Sequence, residues 1–246
     1  MVTKSTLLIL SSVFTEIKFS PSLLFSDLTL LTGYMNFLRK EFDSVNYDEN
    51  TKRILCNSME GKRQQADIAN NRFVFDFSPG EDINSYKEFQ GTVDLLLKEY
   101  LNKFDVNQFN RAGIRSTWIA EHELEVSKQL FNKCFLPVLL DAKHPLNVLT
   151  GLNSGKVELY FSLQEDARLN VAILPARIQN LIMKIDLTGQ HYMQKTMEGI
   201  MFDIDFFIEG KVTVDRYLKH LDEAEKTTKV RANNILSVMM GVSHGS

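Results

Sequence analysis

Residues 109–123 read FNRAGIRSTWIAEHE and place two arginines and a glycine beside the chain's single tryptophan. Side chains alternate across a strand. Arg111, Gly113, Arg115, Thr117 and Ile119 would therefore share one face, with Ala112, Ile114, Ser116 and Trp118 on the other. Two guanidinium forks with a small residue between them can clamp a carboxylate or a phosphate, which makes Arg111 and Arg115 a candidate anion site. The same geometry suits a structural role, in which they pair with acids on a neighbouring strand such as Asp76 or the Asp203/Asp205 face. That role is the preferred one, because opposite charges across a ladder are common sheet stabilisers. Trp118 is expected in the core.

A second set is acidic. Asp203 and Asp205 in MFDIDFF would lie on one strand face, with Phe202, Ile204 and Phe206 on the other. If Asp186 of MKIDLTG lay opposite on a paired strand, the three carboxylates could hold a divalent metal. A wet face on a one-sided antiparallel sheet explains the same pattern and is preferred. A third run, SMEGKRQQADIANNR, brings Lys62, Arg63 and Arg72 together as a candidate nucleic-acid contact. It is short, has no aromatic before Phe73 and is matched by nearby acids, so a hairpin loop is expected.

Common catalytic signatures are missing. There is no GxxxxGKS/T phosphate loop, no GxGxxG, no HExxH and no GxSxG. His122, His144, His191, His220 and His244 contain no pair at helical ligand spacing. No cofactor is implied, and the balance leans away from catalysis.

Composition narrows the class. The 246 residues are 44% hydrophobic and 24% charged, the proportions of an ordinary globular protein. A net charge of −3 gives no overall pull toward nucleic acid or anionic membrane. Cys56 and Cys134 form no CxxC or metal pattern, which points to a reducing, cytoplasmic setting. The opening MVTKSTLLILSSVF has too short an apolar core for a signal peptide and reads as a strand. No apolar run approaches the roughly 20 residues of a membrane span.

The elements that would position these residues follow from periodicity. Two strand-like runs fill residues 5–19. Ser20 and Pro21 can open a helix whose stripe is Leu24, Leu28, Leu31, Met35, Leu38 and Phe42. TKRILCN and ADIANNRFVFDFSPG read as an antiparallel pair with Phe73, Phe75 and Phe77 on one face. A helix from about Ile83 to Phe104 carries Phe89, Val93, Leu96, Leu97, Tyr100 and Phe104. The arginine strand and a short helix, ELEVSKQLFNKCF, come next, and Pro137 and Pro145 bound an irregular connection. GKVELYFSLQ then pairs with RLNVAILPA, and NLIMKIDLTGQ with EGIMFDIDFFIEG. A long last helix runs from Thr213, its cap, to about Met240. This order is not βαβ alternation. It predicts an α+β fold, a mostly antiparallel sheet covered on one side by long helices. The chain would form either two packed halves, 1–136 and 137–246, or one continuous domain.

The last helix raises a separate question. Its stripe of Tyr217, Leu218, Leu221, Ala224, Val230, Ile235, Leu236 and Met239 is broken by the polar stretch Glu225 to Lys229. Either the helix leaves the domain, so that Ile235, Leu236, Met239 and Met240 pack on a partner or a second copy, or it folds back onto its own core.

IKFSPSLLFSDLTLL, FNRAGIRSTWI and MFDIDFFIEGKVTVDRYLKHLDEAEKTTKVRANNIL resemble, over nearly the whole chain, a sporadically distributed family of uncharacterised bacterial proteins of about this length. The resemblance implies no catalytic residues. Sporadic distribution is typical of defence or mobile-element genes. The leading expectation is a non-catalytic cytoplasmic accessory subunit that binds protein or itself. The alternatives are a metal-dependent enzyme on a phosphate-containing substrate and a nucleic-acid-binding module.

Overall fold

The computed structural model describes residues 7–58, 63–79, 85–139, 156–163, 166–186 and 189–241, with the backbone alone at 85, 136–139, 180–186 and 189–195. The chain runs β1 (Leu8–Lys18), α1 (Leu28–Leu38), β2 (Ser44–Asp48), β3 (Arg53–Ser58), β4 (Arg63–Ala69), β5 (Arg72–Ser78) and α2 (Ser85–Phe104). It continues with β6 (Gln108–Glu121), α3 (Leu124–Leu139), β7 (Val157–Ser162), β8 (Ala167–Asp186), β9 (Gly189–Thr213) and α4 (Val214–Met239). The strands form one nine-stranded sheet in the order β2-β3-β4-β5-β1-β6-β9-β8-β7, antiparallel throughout. The fold is α+β with a long C-terminal helix, as the periodicity predicts.

The topology repeats. Each half begins with a strand at the middle of the sheet, β1 or β6, and passes through a helix, α1 or α3. It returns as a meander walking inward from the sheet edge, β2 to β5 or β7 to β9, and closes with a long helix, α2 or α4. The halves meet where β1 and β6 pair antiparallel, and their meanders differ by one strand, four against three. The repeat sets the join at residues 105–107, between α2 and β6, whereas a division at 136/137 would cut α3.

Burial follows the strand period on the helix side. Phe73, Phe75 and Phe77 of β5 are fully enclosed, as are Ala112, Ile114 and Ser116 of β6 and Phe202 and Ile204 of β9. Trp118 is core, as expected. All six residues of the α2 stripe are buried. Tyr100 lies among Tyr34, Phe19 and Phe104 with ring centroids 4.9–5.7 Å apart. Aromatic pairs at such separations add to the gain from area burial. The hydroxyls of Tyr100 and Tyr86 are satisfied: Tyr100 donates to the Ala69 carbonyl and Tyr86 to the Leu221 carbonyl, each at 2.9 Å.

Four local expectations change. The first helix starts at Leu28, not near Ser20: Asp27 caps it, accepting from the Thr29 and Leu30 amides. Ser22 instead donates to the Phe104 carbonyl at 2.7 Å, which turns the chain through a short 3-10 segment first. Leu24 and Leu28 are accordingly exposed, and the buried stripe is Leu31, Tyr34 and Leu38. The pair read around residues 51–80 is a three-strand meander, with the short polar β2 added at its edge. The two strands read in 168–190 are one, β8. Pro175 lies beyond the last β7 pairing, Val157 with Ile173, where no described strand calls on its missing amide hydrogen. Finally, α3 continues past Pro137 to Leu139, and Pro145 falls outside the described residues.

The last helix stays on the sheet. Thr213 caps it, accepting from the Arg216 amide at 3.3 Å. Its buried face is Tyr217, His220, Leu221, Ala224, Thr228, Ala232, Leu236 and Met239. Thr228 bridges the polar stretch: its hydroxyl donates to the Ala224 carbonyl at 2.7 Å and accepts from Trp118 Nε1 at 3.1 Å. Leu236 and Met239 are therefore this chain's own core, and only Ile235 and Met240 are half-buried. Fully covering a leucine is worth about 1.5–3 kcal/mol, which the fold collects internally.

Candidate functional site

The opposite face of the sheet carries no described helix and is the candidate site. Its side chains come from the alternate positions of the same strands. Cross-strand partners there sit close enough to bond, so acids and bases pair across neighbours. A continuous row crosses six strands. Arg53 of β3 meets Asp67 of β4 at 3.0 Å, and Arg72 of β5 meets Asp67 at 2.5 Å and Glu16 of β1 at 3.9 Å. Arg111 of β6 then bonds Glu16 and Asp205 of β9, both at 3.0 Å. Beside the row, Arg115 grips Asp203 through both Nε and Nη2, and Arg63 reaches Asp76 at 3.0 Å.

The glycine of the arginine strand now has a reason. Gly113 faces Glu16 across the ladder and Phe207 on its other side. A Cβ there would lie 3.0 Å from Phe207 Cβ and 3.4 Å from both Arg111 Nη1 and Asp205 Oδ1. Its absence lets the Arg111 guanidinium lie 4.7 Å from the centre of the Phe207 ring.

Electrostatics follow from depth. Burial pushes the Asp205 carboxyl up, against the pull of Arg111 and Arg115. Burial also raises Asp76, against Arg63. The Asp203 bond holds Arg115 more firmly protonated than usual. A groove of about 180 Å³ opens near the β7 edge, lined by Arg115, Lys156, Glu158, Tyr160 and Asp203 among others. It is smaller than the roughly 300–1,000 Å³ of small-molecule pockets. Lys156 reaches Glu158 at 2.5 Å and the Tyr160 hydroxyl donates to it at 2.6 Å.

The sequence-read candidates fall as follows. Arg111 and Arg115 share a face, but each is already bonded to acids, so they form a ladder and not an open anion clamp. Asp203 and Asp205 share that face too. Asp186 does not join them: Ala172 stands opposite Asp203 and Asn170 opposite Asp205, while Asp186 pairs with Gly189 at the turn end of the β8–β9 ribbon. Among the described residues no three His, Cys, Asp or Glu side chains are placed to hold a metal ion. Arg63 and Arg72 belong to strands β4 and β5 and bond Asp76 and Asp67, and Lys62 lies outside the described residues. Glu16 and Asp67, both central to the row, escaped sequence reasoning. The alternation Phe14, Glu16, Lys18 opposite Thr15 and Ile17 carries the signal for Glu16, but nothing local names its partners.

Among the described residues no helix is long and apolar enough to cross a membrane. No family model matches the chain, and no curated protein matches it.

Proposed function

We propose that this chain is a non-catalytic protein-interaction or accessory subunit whose open sheet face is the contact surface. Following the resemblance carried by its first, central and last segments, its setting is the cytoplasm of a bacterium, in a defence or mobile-element system. The observation that supports the reading is one-sidedness: the four described helices pack into a single core on one face, and no described helix covers the other, where paired charges stand among apolar side chains such as Phe207 and the buried Ile119. Pre-paired side chains fix such a surface before binding, so little ordering entropy is lost on contact. The contact surface moves from the end of α4, whose Leu236 and Met239 belong to the core, to the sheet.

A photo-cross-linking side chain at Tyr160, on the open face, tests this against one at Leu95, exposed on α2. In the cell of origin Tyr160 is expected to give one protein adduct, competed away by unmodified protein, and Leu95 none. Adducts from Leu95 alone, or from neither position, would remove the reading. A nucleic-acid adduct would replace it.

A further inference from the structure

Strands β8 and β9, 20 and 25 residues long, outrun the sheet. β7 last pairs with β8 at Ile173, and β6 last pairs with β9 at Gly199. From Arg177 with Glu198 to Asp186 with Gly189, the two strands pair only with each other among the described residues. They form a ribbon roughly 30 Å long at about 3.3 Å per residue. Its foot is anchored to the start of α3: the His122 amide donates to the Glu198 carbonyl at 3.1 Å and the Leu124 amide to Glu198 Oε2 at 3.2 Å. Two strands alone are marginally stable in water, whereas three or more can hold together.

The two outer edges of the ribbon differ. β9 contributes GQHYMQKTME, which is mostly polar. β8 contributes Ile178–Asp186, IQNLIMKID, with Leu181, Ile182 and Met183 in succession. Alternation places consecutive residues on opposite faces, so this strand carries apolar positions on both. Strands that read this way are enclosed on both faces. The outer strands of the main sheet have a different character. β2 has five residues, SVNYD, and β7 has six, with the Lys156–Glu158 pair at its start. Short edges and edge charges keep a sheet from accepting another strand. The β8 edge is longer, and Lys184 is its one charge before the terminal Asp186.

We infer that this edge of β8 pairs antiparallel with the same edge of a second copy, joining two ribbons into a four-stranded sheet about a two-fold axis at Ile182. Clear of the foot, where Arg177 Nε donates to Glu198 Oε1 at 2.6 Å, the edge runs from Ile178 to Asp186, and Ile182 is its midpoint. That register sets Ile182 opposite itself, Leu181 opposite Met183 and Lys184 opposite Asn180, so no like charges oppose each other. Over the whole ribbon Arg177, Lys184 and Lys195 nearly balance Asp186 and Glu198, and the copies do not repel. A second copy necessarily brings a matching strand, because a two-fold contact uses the same surface twice. The open face of the main sheet takes no part, so this inference is independent of the contact surface proposed above.

Ile182→Lys and Ile182→Glu, made separately in the full chain, test it by analytical ultracentrifugation. The unaltered chain is expected to form a dimer that dissociates on dilution. Each variant opposes two like charges at the axis and is expected to weaken self-association about tenfold or more. An equimolar mixture sets lysine opposite glutamate and is expected to restore the dimer, which two misfolded chains could not do. An unaltered chain that stays monomeric overturns the inference. So do variants that associate as tightly as it does, and so does a mixture no more dimeric than its parts.

Discussion

Adjacent residues on one strand serve two different surfaces here. Thr15 faces the helices, donating to the Gly113 carbonyl and bonding the Tyr217 hydroxyl at 2.9 Å each. Glu16, one step along, faces solvent and joins the arginine row. The same division separates Phe75 from Asp76 and Ile204 from Asp205. The covered face gains its stability from area removed from water. The open face gains little net energy from its outermost pairs, such as Arg168–Glu209, which are hydrated and screened, while its recessed acids depend on their cations. It gains fixed geometry. One sheet thus separates the work of folding from the work of contact.

The contrast is sharpest in a truncation. Phe202→Ala, on the covered face, is expected to cost about 3–5 kcal/mol in denaturant unfolding, since the cavity cannot collapse against a rigid sheet. A loss below about 1 kcal/mol would mean that this face is loosely packed.

Acid should separate the faces by sign. His220 sits against the Phe206 ring with Nε2 3.0 Å from the Phe206 carbonyl oxygen, so that nitrogen carries the proton and donates. Burial, with a smaller push from Arg216, lowers its pKa to about 4. A depressed value means that the unfolded chain takes up the proton first. Stability from His220 is therefore whole above its unfolded pKa and is lost as pH falls toward about 4. Asp76 and Asp205 are raised by burial, so their contribution has the opposite sign: it is present when they are protonated and lost as pH rises through their folded values. Thermal melts should fall on acidification through the histidine window, and His220→Phe should flatten that slope. An unchanged slope would assign the acid sensitivity elsewhere.

Arg111→Met should cost about 2 kcal/mol, because it leaves Asp205 recessed without its closest cation while Glu16 keeps Lys18 and Arg72. The double change with Asp205→Leu is expected to recover most of that loss, and failure to recover would mean that Arg111 acts through Phe207 instead. Arg168→Gln, the smallest of the set, should move stability by no more than about 0.5 kcal/mol. A larger effect would mean that the outermost pairs hold the fold as the recessed Arg111–Asp205 pair does.

Much of the architecture is legible in the chain because its signals are local. The α2 stripe needs only three- and four-residue spacing, and every residue read from it is buried. The facing of Arg111 and Arg115 needs only alternation. The α4 break is different. Glu225 to Lys229 looks like a gap because hydropathy scores Thr228 as polar, whereas its hydroxyl is satisfied by the helix itself and by Trp118, far away in sequence. The start of α1 misleads for a similar reason: Ser22 is claimed by the Phe104 carbonyl, a tertiary bond that no spacing reveals. The arginine row depends on which strands become neighbours, so Glu16 and Asp67 could not be assigned before the sheet order was known.

The repeated strand order has one more consequence. A lone half would end its sheet at β1 or β6, a long strand with a bare row of backbone donors and acceptors, the kind of edge that recruits a second chain. Joining the halves through Asp105, Val106 and Asn107 makes that encounter intramolecular. What would be a dilution-sensitive assembly is instead a unimolecular property, and each half is free to diverge without having to match a copy of itself.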